Sequence, residues 1–217
     1  MPIKFNEVCN EIVEDIENLT ENIINLLESV TDSYFNFDKE MAKSSIIKLN
    51  NLYKRVHTLE SKTVKVLCLY RPVSKDLRFI IVIFIYIRVI EHIIINLMKI
   101  CRITIKSDYN FDRNNNYLRN MRELIKKMLK LSYLGITNNN IEVVDEIYKI
   151  HKKIEKIYYK ELHREMMKLV FKDVFNIAFV NELTTVGKYL ERIENYITDF
   201  RNDIYFFTTG QKVSLDA

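Results

Sequence analysis

The sequence predicts an all-α protein of six long helices, arranged as two pseudo-repeated three-helix bundles. Apolar residues recur every three or four positions along most of the chain, which is the period of an amphipathic helix. The 217 residues include only three glycines and two prolines, so few positions favour tight turns. No stretch shows the alternation of apolar and polar residues that is typical of a strand.

The first two helices are predicted before a corner in the chain. An apolar stripe runs from about Phe5 to about Tyr34, and the polar break at 36–38 supplies a new helix start. The second stripe ends at Arg71 and Pro72, because a proline disfavours helical geometry in the residue that precedes it.

The third helix is expected to be a buried core helix. Ser74 is expected to cap its free backbone N–H groups, and Asp76 faces the positive end of its dipole. The run from Phe79 to Ile100 is the most apolar of the chain, but Arg88 and Glu91 interrupt it before it reaches the length of a membrane span.

A linker rich in Asn and Asp divides the chain into two parts. We expect a first repeat at 1–107, the linker at 108–116 and a second repeat at 117–217. Three more apolar stripes follow the linker. Gly135 is expected to end the fourth helix as a C-cap, and the sixth helix should run to 208–210.

A short internal similarity supports the repeat. The segments Val89–Ile93 and Tyr189–Ile193 occupy the same place on the third helix of each half, and their glutamates, Glu91 and Glu191, lie 100 residues apart. Two similar three-helix bundles placed side by side are the simplest architecture that explains this pattern.

Composition argues against several classes of function. The 33 basic and 29 acidic residues are interspersed, so no basic face favours nucleic acid. Cys9, Cys68 and Cys101 lack metal-type spacing, and reduced, buried thiols are expected. The first residues do not resemble a secretory signal, so we expect a cytoplasmic location. No glycine-rich phosphate loop is present, and no Ser or Cys has a recognisable His and acid arrangement, so nucleophilic catalysis has no candidate residue.

Two sets of polar residues flank the apolar stripes of the second half. His151 and Glu155 lie one turn apart on the fifth helix, and Glu191, Asn195 and Asp199 lie one turn apart on the sixth. Facing helices can bring an imidazole and carboxylates together as a transition-metal site. The alternative is an ordinary solvated face, since lysines surround His151.

The corner between the second and third helices resembles a motif of a known family. The segment Arg71–Arg78 is similar to the "PxAxDLR" corner in the first half of PhoU-type proteins, with Arg71, Pro72, Asp76 and Arg78 as its marker residues. In the second half, the segments similar to the family's motifs are His151–Glu155, Leu190–Ile193 with Asp199, and Ile204–Gln211. The chain is identified as a divergent member of the PhoU family.

This resemblance implies a regulator of phosphate homeostasis, not an enzyme. Family members are cytoplasmic adaptors and negative regulators of phosphate import and of phosphate-starvation signalling. They act by contact with the ATPase subunit of a phosphate ABC transporter and with a sensor histidine kinase, and they reach the membrane only through these partners. The resemblance also implies a homodimer. The alternatives are a metal-binding helical bundle and a helical scaffold with a different transporter partner.

Some family members bind iron or zinc clusters or magnesium through E/D-x-x-x-D motifs. In the first half Glu91 remains, but Leu49, Tyr53 and Ile95 stand where other ligands belong. Aliphatic groups donate no electron pair, so no metal cluster is expected there.

In the second half, His151 and Asn195 replace aspartates of the family motifs, while Glu155, Glu191 and Asp199 remain. The resemblance therefore implies a mixed nitrogen and oxygen site for a divalent ion or for iron or zinc, with a weaker hold on a hard cation.

The first half has an apolar segment where the family carries its metal face. Ile93, Ile94 and Ile95 are expected either to form a dimer or partner interface, or to be buried inside the bundle.

Overall fold

The computed structural model describes residues 3–108, 113, 115–173 and 176–212. Within these ranges the chain is almost wholly helical and contains no strand. The helices are α1 (Ile3–Phe35), α2 (Lys39–Tyr70), α3 (Ser74–Lys106), α4 (Asn116–Thr137), α5 (Glu142–Lys156), α6 (His163–Lys172) and α7 (Ile177–Thr209). A π-helical segment, Ile157–Leu162, joins α5 to α6 without a break, so these three pieces form the fifth of six long helices. The predicted all-α fold is confirmed.

The helices form two bundles that lie side by side. Helices α1, α2 and α3 pack together as the first bundle, and α4, α5 and α7 pack together as the second. The bundles meet where α3 packs on α7 and α1 packs on α4. The ring pairs Phe79–Phe207 and Tyr86–Phe200, with centroids 5.9 Å and 5.1 Å apart, show that α3 and α7 run antiparallel.

Helix α3 is the core helix of the protein. It packs against α1 and α2 within its own bundle and against α7 of the other. By length and composition α3 could cross a membrane, but 67% of its most apolar window is buried inside the two bundles. Its apolar sequence therefore matches its position, since a helix surrounded on several sides must be hydrophobic on most of its circumference.

The apolar segment of α3 lies inside the fold. Ile93 and Ile94 are fully buried, and Ile95 is half-buried. The interface hypothesis is therefore wrong for Ile93 and Ile94, because packing within the bundles already removes both side chains from solvent.

The corner between α2 and α3 differs from the prediction in one respect. Arg71 adopts the left-handed conformation, with φ of 46°, and ends α2. Ser74 does not cap α3: it is already the first helical residue, because the carbonyl of Val73 accepts hydrogen bonds from the N–H groups of Asp76 and Leu77. Asp76 lies in the first turn of α3, as expected.

Gly135 also has a different role from the one predicted. Helix α4 continues to Thr137, so Gly135 lies inside the helix and does not end it. A Cβ atom at this position would stand 2.8 Å from Val143 Cγ2 and 2.9 Å from Ile204 Cγ2. The missing side chain lets α5 and α7 approach α4 closely.

We expect Gly135→Ala to destabilise the protein by about 1–3 kcal/mol, because an added methyl group would overpack a buried contact. Urea unfolding followed by circular dichroism measures this change. Lys130→Ala, at an exposed position of the same helix, should change the free energy of unfolding by less than about 0.5 kcal/mol. Equal stability of Gly135→Ala and the wild type would contradict the close approach of the three helices.

Between α3 and α4, the described residues Ser107, Asp108, Arg113 and Asn115 are not helical, which agrees with the predicted linker. Residues 109–112 and 114 of that linker lie outside the described residues, and the limits of the two repeats stay a prediction. All three cysteines are free. Cys9 and Cys101 are buried, but the expectation of burial is wrong for Cys68, which lies on an exposed face of α2.

Candidate functional site

The polar contact between α5 and α7 centres on a glutamate that the sequence prediction missed. His151 Nδ1 lies 2.7 Å from Glu194 Oε1, and the Thr198 hydroxyl donates a hydrogen bond to the same oxygen. Glu194 is only 1% exposed. A signal for it was present, because Glu194 follows Leu190 by four residues and precedes Ile197 by three, which places a carboxyl within the apolar stripe of α7.

The environment of Glu194 favours its protonated form. Burial raises the pKa of this carboxyl above its ordinary value, while the hydrogen bond from Thr198 and the nearby His151 oppose that shift. The nearby Glu191 carboxylate adds to the upward shift of the pKa.

The other predicted ligands on α7 have separate partners. Glu191 Oε1 accepts hydrogen bonds from the Tyr159 hydroxyl at 3.2 Å and from Asn195 Nδ2 at 2.7 Å. The Glu191 charge and burial together raise the pKa of Tyr159. Asp199 is exposed, and its charge adds to the effect of burial in raising the pKa of Asp203.

On α5, Glu155 is turned toward a neighbour on its own helix. Its carboxylate pairs with Lys152 Nζ at 3.0 Å, and this hydrogen bond lowers the pKa of Glu155. The structure thus joins His151 to Glu194, Glu155 to Lys152 and Glu191 to Asn195.

The five predicted ligands, as placed, do not fit a metal ion. Across the described ranges no group of three or more His, Cys, Asp or Glu side chains is arranged to hold one. A metal ion at this face stays a prediction.

The π-helical segment brings tyrosines against α7. A Cβ atom at Gly187 would stand 3.0 Å from Leu162 Cδ2 and 3.2 Å from a ring carbon of Tyr158, so the glycine allows the segment to pack closely. The Tyr158 carbonyl lies 2.7 Å from His163 Nδ1. Such π segments are frequent at functional sites, and this one places Tyr159 within reach of Glu191.

The first bundle contains a similar arrangement between α2 and α3. Glu91 is buried, accepts a hydrogen bond from the Tyr53 hydroxyl at 3.1 Å and pairs with Arg88. His57 Nε2 lies 3.8 Å from its carboxylate. Each bundle therefore holds one buried glutamate beside a histidine of the neighbouring helix. The sequence similarity pairs Glu91 with Glu191. In its burial and its histidine neighbour, however, Glu91 resembles Glu194 more closely.

The marker residues of the corner have structural roles. Pro72 is buried, and Arg71 supplies the left-handed turn. The Arg78 Nε group lies 3.4 Å from the Phe207 carbonyl, which connects the start of α3 to the end of α7. Gly210, with φ of 74°, ends α7 close to the Arg78 guanidinium.

We expect the stability that Glu194 contributes to fall as pH rises. Its pKa is raised in the folded state, so the folded protein binds this proton more tightly than the unfolded chain does. The contribution is full below the ordinary glutamate pKa of about 4.5 and is lost as pH rises through the raised value. In urea unfolding between pH 4.5 and pH 7.5, Glu194→Gln should therefore gain stability relative to the wild type.

Glu155→Gln is the matched control, because the pKa of Glu155 is lowered and its surface ion pair contributes little. This variant should show the opposite and weak trend. If Glu194→Gln keeps a constant stability difference from the wild type at every pH, the raised pKa of Glu194 is wrong.

Comparison with known proteins gives a consistent assignment. A family model described as "PhoU domain" matches residues 16–104 and again 118–204. The chain is 20% identical to the "Phosphate-specific transport system accessory protein PhoU homolog 1" of Methanothermobacter thermautotrophicus, over 97% of this chain and 96% of that protein. It is also 39% identical to an uncharacterised protein of Methanocaldococcus jannaschii, over 59% of this chain and 99% of that protein.

The fold is that of solved relatives. The crystal structure of the phosphate transport system regulatory protein PhoU from Streptococcus pneumoniae superposes with a TM-score of 0.84 at 20% identity, covering 97% of this chain and 100% of that one. The PhoU structure from Pseudomonas aeruginosa gives the same TM-score at 16% identity. The family model matches both repeats and the fold matches the solved relatives over nearly the whole chain, so the chain belongs to the PhoU family.

Proposed function

We propose that this protein is a cytoplasmic, non-catalytic regulator that restrains phosphate uptake and phosphate-starvation signalling. The observation that carries the proposal is the match of the PhoU domain to both halves of the chain, together with a fold shared over nearly its whole length. Two relatives that this chain matches over nearly its whole length are named as accessory proteins of phosphate-specific transport.

The proposed mode of action is direct contact with the ATPase subunit of a phosphate ABC transporter and with a sensor histidine kinase. The titratable pairs described above support this mode more than they support catalysis. Glu91 and Glu194 are buried between helices and are engaged by neighbouring side chains, so neither carboxyl is presented to a substrate.

We propose the corner between α2 and α3 as the ATPase contact. Leu69 and Val73 are 76% and 68% exposed, and Leu77 and Ile81 follow Val73 at four-residue intervals on the same side of α3. An exposed apolar cluster of this kind marks contact surfaces in soluble proteins. We call Leu69, Val73, Leu77 and Ile81 the corner surface.

A gene-deletion experiment tests the proposed function. In phosphate-rich medium, a strain without this protein should take up radiolabelled phosphate faster than the wild type, because the restraint on the transporter is lost. The wild-type gene should restore the slow rate. Unchanged uptake in the deletion strain would contradict the proposal.

The corner surface is tested in the same strain. A Leu69→Glu/Val73→Glu variant should fold, since both side chains are exposed, but should fail to restore the slow uptake. The control is Ile47→Glu, which places one such charge at a 63% exposed position elsewhere on α2 and should complement fully. Full complementation by the double variant would exclude the corner surface as the contact.

We also propose that the protein acts as a homodimer. Light scattering of the purified chain measures its mass directly, and 26.1 kDa is the mass expected of a monomer. A monomeric mass at cellular concentration would contradict this part of the proposal.

A further inference from the structure

A groove lies between the two bundles, away from the glutamate sites described above. It is formed where the C-terminal end of α3 meets the N-terminal part of α7, and its volume is about 530 Å³. This volume falls within the range of small-molecule sites, which occur often at the interfaces between domains.

One wall of the groove carries three cations. Lys99, Arg102 and Lys106 follow one another at spacings of three and four residues, which places them on one side of α3. None of the three forms an ion pair with a side chain in the parts of the chain that the structure describes. Lys99 Nζ does lie 5.4 Å from the ring centre of Tyr189.

The carboxylates in the groove do not neutralise this charge. Glu182 lines the groove, but it accepts a hydrogen bond from Arg113 Nε at 3.0 Å and is therefore already compensated. Asp108 is the other acidic residue of the lining. Asp108 can balance one of the three positive charges on α3, and the other two remain unbalanced. The groove therefore favours an anion.

The opposite wall has a different character. The Tyr189 ring and Ala178 of α7 offer apolar surface, and Asn181 and Thr185 of the same helix offer amide and hydroxyl groups. A flat ring can pack on a tyrosine face, and amide and hydroxyl groups can bond sugar hydroxyls or base edges. Cations on one wall and an aromatic ring on the other suit a ligand with phosphate groups at one end and a ring at the other.

We propose that this groove binds a nucleotide, with its phosphates on the α3 cations and its base against Tyr189. This inference does not rest on the proposed regulation of phosphate uptake, because it depends only on the lining of the groove. A nucleotide in this groove would contact α3 of the first bundle and α7 of the second at the same time, so its binding would depend on how the two bundles are arranged.

Isothermal titration calorimetry of the full chain with ADP, in buffer without divalent metal, tests the proposal. ADP should bind, and both adenosine, which lacks the phosphates, and pyrophosphate, which lacks the ring, should bind at least about tenfold more weakly. Affinity for ADP should also fall as salt concentration rises. No heat of binding with ADP up to about 1 mM would overturn the proposal. Pyrophosphate that binds as tightly as ADP would overturn the assignment to a nucleotide.

Two variants locate the site. Arg102→Glu/Lys106→Glu reverses two exposed charges in the groove and should weaken ADP binding by at least about tenfold. Ala178→Trp fills the groove without changing its charge and should weaken binding similarly. The control is Lys54→Glu/Lys65→Glu, which makes the same charge change on exposed positions of α2 and should leave the affinity within about twofold. Equal loss in the control, or full binding by Ala178→Trp, would show that ADP does not occupy this groove.

Discussion

Replacing Arg113 by methionine should destabilise the protein by about 3–5 kcal/mol, because it would remove a fully buried cation from Glu182, whose side chain is only 13% exposed. Arg113 has a fully buried side chain, and its Nε group lies 3.0 Å from Glu182 Oε1. Its Nη2 group donates to the Ser107 hydroxyl at 2.7 Å, and its guanidinium lies 4.1 Å from the ring centre of Phe37. Arg113 thus joins the ends of α1 and α3 to α7, and so connects the two bundles.

Differential scanning calorimetry measures this effect. For a chain of this size, the loss corresponds to a melting temperature lower by roughly 6–20 °C. The double variant Arg113→Met/Glu182→Gln is the matched control. It also removes the charge of Glu182, which the single variant leaves unpaired, and should recover much of the lost stability. If the single and double variants melt at the same temperature, the ion pair does not connect the bundles.

The second large effect is expected from Ile94→Asp, which would place a carboxylate on the buried side of α3, in the hydrophobic core. Ile94 is fully buried, and an unpaired buried charge costs several kcal/mol, a large part of the total stability of a domain. The variant should be unfolded or insoluble. Ile81→Asp makes the same change on the same helix at a position that is 36% exposed and should remain folded by circular dichroism.

This comparison also tests the assignment of α3 as a core helix. A folded Ile94→Asp variant would mean that this face of α3 is accessible, which would revive the interface hypothesis. An insoluble Ile81→Asp variant would mean that the outer side of α3 requires an apolar environment, as a membrane-spanning helix does.

Most of the fold could be predicted from the sequence because long helices leave a periodic pattern. The stripe from Phe5 to Tyr34 and the break before Asp38 depend on residues close together in the chain. Asp38 caps α2 through a hydrogen bond from the Met41 N–H, which is a purely local interaction. The corner at Pro72 was predictable for the same reason.

Other features could not be predicted because distant segments decide them. Gly135 looks like a helix end, but its role is set by Val143 and Ile204, which approach it only in the folded protein. The fifth helix passes through a π-helical segment that packs on α7 near Gly187, and no local pattern indicates that contact.

The candidate site was predicted only in part. His151 was identified, and the structure places it at the contact of α5 with α7 as expected. Its partner was missed, because the spacing of Glu191, Asn195 and Asp199 along one flank favoured those three residues. The partner, Glu194, lies 43 positions away from His151 in sequence, and only the packing of the two helices joins them.

We propose that this PhoU-family protein acts through contact with the ATPase subunit of a phosphate transporter. Biolayer interferometry with the purified ATPase subunit from the same organism tests that claim most directly. We expect saturable binding that Leu69→Glu/Val73→Glu weakens by at least about tenfold and that Ile47→Glu leaves unchanged. The absence of saturable binding by the folded wild-type protein would contradict the claim.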